Sequence, residues 1–270
     1  MRFRLKKVFL LTRKELRESL KSKEIILVIT LLPLILAVFL PLTIPLMNLT
    51  ATNETMDPDD LKNFPPLVPY WDELNIKGKF MVFYTMIYFE MFLLLPMILP
   101  LVIAADTIAG ERERKTIESL LASPLSTWEI LTGKLLTTII PSVIITWISG
   151  IIMMAISDAA LYQLLGRLLF PNLLSVILLF GFSPFLSMIV TQTMIIVSTK
   201  AAGMREAQQL GSLVVIPLYS LILGETALII ISSPYWTFGA AAILLGGSIF
   251  LLFINHRLFD REAMITAIGG

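Results

Sequence analysis

A chain of 270 residues with 56% apolar and only 15% charged side chains departs from an ordinary soluble domain, which carries about 25% charge. The charge is missing from stretches of about 20 residues, the length at which a helix crosses a hydrocarbon core about 30 Å thick. These runs are continuous rather than alternating, which argues against a β-barrel. The absence of cysteine excludes disulfide staples, thiol catalysis and thiolate metal sites. A net charge of +1 says little, because charge here is sorted along the chain.

Residues 1–24 hold nine Lys and Arg. Phe3, Val8, Phe9, Leu16 and Leu20 can form an apolar stripe beside a basic face, as in an interfacial helix on an anionic leaflet. The alternative is a solvated basic tail that only fixes topology. No small-x-small cleavage site follows the first apolar run closely, so that run reads as a retained span rather than a signal peptide.

The apolar runs are Ile25–Met47, Phe80–Ala105, Leu135–Ile156, Leu173–Ser198, Leu213–Ser232 and Trp236–Ile254. The fifth is interrupted by Glu225. With the N-terminus inside, the inner segments (1–24, 106–134, 199–212, 255–270) hold 17 Lys and Arg and the outer ones hold 4. The positive-inside rule then places both termini in the cytoplasm. The expected class is an all-α polytopic membrane protein. It comprises one domain over 1–270 with six transmembrane helices, an N-terminal interfacial amphipathic helix and a cytoplasmic coupling helical hairpin.

The outer segment 48–79 carries Pro58, Pro65, Pro66 and Pro69 with six acidic residues and reads as a semi-rigid loop. It contains two sequons, at Asn48 and Asn53. Prolines inside the spans (Pro33, Pro41, Pro45, Pro96, Pro100, Pro141, Pro184, Pro217) predict kinks that neighbouring helices must accommodate. Gly239, Ala242 and Gly246 form a small-residue stripe suited to close helix packing.

The most informative segment is 106–134. Glu111 with Lys115 and Arg114 with Glu118 are spaced i,i+4, so the second span should continue as a helix into the cytoplasm, with Ile117, Leu120 and Leu121 as an apolar edge. Ser123-Pro124 should end it. Ser126 and Glu129 form an S-x-x-E capping box that starts the next helix, which runs through Trp128, Gly133 and Lys134 into the third span. Such a hairpin is suited to docking a partner; the alternative is a connector that its ion pairs keep soluble.

That segment resembles the signature of ABC type-2 transporter permeases. The acidic residue is Asp106, the small step Ala109-Gly110, the Glu-x-Glu pair Glu111 and Glu113, then Thr116, Leu120-Leu121, Pro124, Ser126 and Gly133-Lys134. The match runs for about 30 residues in order. Arg13-Lys14-Glu15-Leu16 resembles the family's basic leading helix. The loop Ser198–Gln209 is similar to the stretch before the fifth span in Nat-type sodium and multidrug permeases. Many Nat-type relatives carry a large outer domain, and often a glycine where this chain has Lys115; those departures bear on substrate more than on architecture.

The resemblance implies a permease subunit of an ATP-binding cassette transporter, an exporter in the cell membrane, paired with a second copy of itself or a related permease. A separate ATP-binding subunit would carry ATP-Mg, and this chain would bind no cofactor or metal and have no catalytic residue. Membrane lipid is the other expected partner, and no nucleic acid is. Coupling to the ATPase would fall to Asp106, Glu111, Glu113, Thr116, Glu118, Leu120, Leu121, Pro124, Ser126 and Lys134, with Arg205 and Glu206 as a lesser contact. The chain agrees in having no Walker A motif. Gly110–Thr116 is similar to one only on the surface, lacking the second glycine before the lysine and a preceding strand.

Glu90 lies mid-span, where a charge costs at least about 2.5 kcal/mol. It is a candidate for the translocation pathway, or else a packing carboxyl held against Gln192 or Thr191. It also permits the alternative of a secondary transporter driven by an ion gradient, although the two halves of the chain show no internal repeat. An intramembrane enzyme finds no support. The one histidine, His256, sits at a helix end, and no H-E-x-x-H, Gly-x-Ser-x-Gly or intramembrane acid pair is present.

Overall fold

The protein is seen in a computed structural model that describes residues 4–50, 67–114, 116, 125–231 and 236–258. Phe3, Lys115, Ile117, Glu118, Leu120, Leu121, Ser123 and Pro124 lie outside the described residues, as do 51–66 and the side chains of Glu225, Trp236 and His256.

No strand occurs among the described residues. Helix α1 (Leu5–Ser19) precedes α2 (Lys23–Leu49), α3 (Ile76–Glu113), α4 (Thr127–Leu165), α5 (Leu173–Lys200), α6 (Met204–Ile231) and α7 (Trp236–Leu258). Five helices, α2 to α6, are long and apolar enough to cross a membrane, and a shorter apolar stretch, Gly239–Asn255, lies in α7. The chain is an all-α polytopic membrane protein.

Helix α5 is the hub and packs on α3, α4, α6 and α7. Helix α3 is the most enclosed: 72% of its span is buried, against 28% for α2, α4 and α6. The outer helices show apolar side chains instead. Ile140, Ile144, Ile148, Ile151 and Ile152 leave an exposed apolar stripe on α4, the surface a lipid-facing helix presents. In the interior, a run of hydroxyls on α4 is satisfied within its own helix. Thr137, Thr138, Ser142 and Thr146 each donate to the carbonyl four residues back, at 2.7–3.1 Å.

The prolines leave local marks. In α3, the segment Ile76–Phe92 ends in a turn at Leu93–Leu94 and restarts at Leu95–Ala105. Pro96 has no N–H to offer the Phe92 carbonyl, so the α-ladder cannot run through. Two π-turns, Ile35–Phe39 and Ile177–Phe182, each contain the carbonyl (Ala37, Phe180) whose donor four residues on is replaced by Pro41 or Pro184. A third π-turn, Asp106–Gly110, has no such proline.

At the end of the bundle away from α1, a short 3₁₀ turn, Trp71–Glu73, buries Trp71. Arg167 pairs with Glu73 at 2.8 Å and lies over the Tyr70 ring. Helix α4 stops at Gly166, whose φ of 67° is the left-handed cap that glycine adopts without strain. Asp158 then accepts the N–H groups of Leu169 and Phe170 at 2.8 and 3.0 Å, which folds the connection to α5 back onto the bundle.

Helix α1 divides its residues differently from the single stripe expected of it. Val8, Leu11, Thr12, Glu15 and Ser19 form a buried face packed mainly on α4, whereas Leu5, Phe9, Leu10 and Leu20 are exposed. The buried set follows i, i+3, i+4 spacing and includes polar positions that an apolar-stripe reading passes over. Leu11 joins a small second core with Ile108, Ile130, Leu131, Leu135 and Ile195.

Candidate functional site

The α1 end of the bundle gathers the charged residues. Helix α4 begins with the S-x-x-E box seen in the sequence. Ser126 Oγ accepts the Glu129 N–H at 3.2 Å, and Glu129 Oε2 accepts the Ser126 N–H at 2.8 Å. The other oxygen, Oε1, accepts the Arg4 N–H at 2.8 Å, so one carboxylate caps α4 and pins the start of α1 to it.

Two turns further along α4, Lys134 is buried. Its ammonium donates to Glu15 Oε1 of α1 at 3.2 Å, to Glu111 Oε2 of α3 at 2.8 Å, and to the Thr107 carbonyl. All three donors are thereby used. Glu15 and Glu111 are buried as well. Burial raises the Glu15 carboxyl to about 7, a shift that Lys134 opposes and Glu111 reinforces. Beside this cluster, Asp106 accepts from Ser19 Oγ at 3.3 Å and from Arg114 at 2.8 Å. The two groups join α1, the end of α3 and the start of α4.

Close approach explains the glycines of the motif. A Cβ on Gly110 would lie 2.7 Å from Asp106 Oδ1 and 3.2 Å from Arg114. A Cβ on Gly133 would lie 2.7 Å from Leu11 Cδ2, so glycine lets α1 settle onto α4. Gly110→Ala should displace the Asp106 carboxylate from Arg114 and Ser19 and cost about 1–3 kcal/mol. Thermal unfolding of the detergent-solubilised variant measures it.

The end of α3 also clamps the α5–α6 loop. Arg112 donates to the carbonyls of Thr199 and Ala201 at 2.9 and 3.0 Å. Glu113 accepts the Met204 N–H at 3.0 Å and closes on Gly203, where a side chain would meet it. Glu206 accepts the Ala202 N–H at 2.7 Å. Glu24, Glu113, Arg205 and Glu206 line an open cleft of about 490 Å³ over this loop.

A comparison with protein families matches residues 10–235 to the ABC-2 family transporter protein. The chain belongs to the ABC-2 transporter family. It is an ABC-2 permease, a membrane transport component. No curated protein matches it.

The permease's charged motif residues separate into two sets. Asp106, Glu111 and Lys134 face inward and offer a partner almost no side-chain surface; Ser126 caps α4, and Thr116 folds back onto the Glu111 carbonyl at 2.9 Å. Glu113, Arg205 and Glu206 border the open cleft. Glu118, Leu120, Leu121 and Pro124 lie outside the described residues. Sequence reasoning did not single out Glu15, Ser19 or Arg112 as site residues. The signal for the first two was present, since they continue the spacing of Val8, Leu11 and Thr12.

In the permease's membrane core, Glu90 is buried one turn before the break in α3 and within electrostatic reach of Tyr219. Of its two suggested packing partners, the Gln192 side chain is buried with no hydrogen bond among the described residues, and Thr191 donates to the Ser187 carbonyl at 2.7 Å. Ser187 in turn donates to the Pro96 carbonyl at 3.0 Å, which sets α5 against the restart of α3, below Glu90.

Proposed function

We propose that this permease is the membrane half of an ATP-driven exporter in the cell membrane, with both termini in the cytoplasm. It pairs with a second copy or a related permease. Each permease rests on a separate ATP-binding cassette subunit that carries ATP-Mg. The 106–134 hairpin is the main coupling element, and the 199–210 segment, in which Arg205 and Glu206 stand on the first turn of α6, is the lesser one. Membrane lipid covers the apolar outer faces, and the exposed Leu5 and Phe9 of α1, with Leu20 just after it, dip into the inner leaflet beside its basic residues.

One observation carries this reading. Lys134 locks three chain segments together at the end where Lys and Arg are concentrated, and Arg112 and Glu113 clamp a fourth. A force applied to the hairpin would therefore reach α1, α3, α4 and the α5–α6 loop as one body. The asymmetry in Lys and Arg supports the orientation, and family membership supports the kind of partner.

Glu90 is assigned to the translocation pathway, beside a break in the most enclosed helix. Glu90→Gln should lower transport at least ten-fold, a loss of transition-state stabilisation of about 1.4 kcal/mol, while ATPase association is unchanged. Normal transport by that variant would remove Glu90 from the path.

Sealed inside-out vesicles from cells producing the permease with its ATPase test the function, with sodium, a cationic dye and a fluorescent lipid analogue as probes. Accumulation of at least one probe should require ATP. Accumulation driven by an imposed ion gradient without ATP would favour a secondary transporter instead.

A further inference from the structure

The Lys134 cluster does not balance its charge. One ammonium faces two carboxylates, Glu15 from α1 and Glu111 from α3, all three buried. Two carboxylates sharing a dry site cannot both ionise without cost. Glu15 Oε2 makes no hydrogen bond among the described residues, and a bare carboxylate oxygen in that position is far more costly than a neutral hydroxyl. One proton on Glu15 makes the cluster neutral while its Oε1 continues to accept from Lys134.

We propose that Glu15 is a one-proton latch: protonated, it holds α1 against the roots of α3 and α4, and ionised, it lets α1 loosen. The groups that face it are Lys134 of α4, Glu111 of α3 and Lys14 of its own helix. The neighbouring Asp106 is already held by Arg114 and Ser19. The latch needs only this chain, whatever drives transport.

The sign follows from the elevated carboxyl. Docked, Glu15 holds its proton up to about pH 7; undocked, it titrates as an ordinary glutamate near 4.3. The docked state binds the proton more tightly, so docking is strongest at low pH and weakens as pH rises through about 7. Between pH 6 and pH 8 the docking constant should fall about ten-fold.

Hydrogen exchange of the α1 amides tests this, on the full chain in nanodiscs and normalised to intrinsic exchange rates. Wild-type protection should drop about ten-fold from pH 6 to pH 8. Glu15→Gln, permanently neutral, should keep the acid-level protection at both. Glu111→Gln leaves Glu15 balanced by Lys134 alone, so it should also flatten the profile, and it serves if Glu15→Gln does not fold. Wild-type protection that is flat with pH, or a pH dependence retained by either foldable variant, would overturn the proposal.

Discussion

Lys134→Met is expected to cost the permease about 3–5 kcal/mol of stability, the usual result of removing one partner from a buried ion pair. Methionine has nearly the length of lysine, so the loss is electrostatic rather than a cavity. Two buried carboxylates, Glu15 and Glu111, would face each other without a cation, and the Thr107 carbonyl would lose its donor. The triple variant Lys134→Met, Glu15→Gln, Glu111→Gln removes the stranded charges and should recover most of the loss, because well-packed neutral replacements of buried ion clusters are often close to neutral. Thermal unfolding in detergent reads both variants. A Lys134→Met protein as stable as wild type would mean that the cluster does not hold α1 in place.

The second large effect lies at the hairpin. Leu120→Asp with Leu121→Asp should leave the folded membrane core intact and reduce ATP-dependent transport by two orders of magnitude or more, through loss of about 3 kcal/mol of docking. The contrast with Lys134→Met is diagnostic. Both should abolish transport, but only Lys134→Met should shift the unfolding temperature. If the double aspartate variant still transports at the wild-type rate, coupling does not run through the hairpin tip.

The membrane character was legible because hydrocarbon imposes a strong and simple rule: long uncharged runs and satisfied backbone. The capping box at Ser126 and Glu129 was legible for a related reason, since its whole geometry lies within four residues. The inward-facing charges were not. Glu111 was paired on paper with Lys115 and Arg114 with Glu118, the nearest partners on a continuous helix. Lys115 and Glu118 lie outside the described residues; among those described, Glu111 pairs with Lys134 and Arg114 with Asp106, across helices or around a π-turn. Local spacing sees only neighbours along one helix, and burial favours a partner from another helix that can exclude water.

The apolar stripe of α1 shows the same limit. Phe9 and Leu20 suggested a single membrane-facing side, but the face that packs on α4 carries Thr12, Glu15 and Ser19. Polar residues in a protein-packed interface carry no apolar signal, and only the fold reveals their partners. Glu90 was legible as an oddity, a carboxyl in the middle of an apolar run; the Gln192 side chain suggested as its partner makes no hydrogen bond among the described residues.

A separate ATPase that energises the permease through its α1 end would lie within cross-linking reach of Arg205. The chain has no cysteine, so Arg205→Cys introduces a single thiol at the cleft rim. Cells producing this variant can be treated with a thiol-to-amine cross-linker, and the protein purified gently. An adduct with a subunit carrying a Walker A motif is expected, and it should be lost when the hairpin leucines are replaced by aspartate. A chain that purifies alone, forms no adduct and still transports on an ion gradient would contradict it.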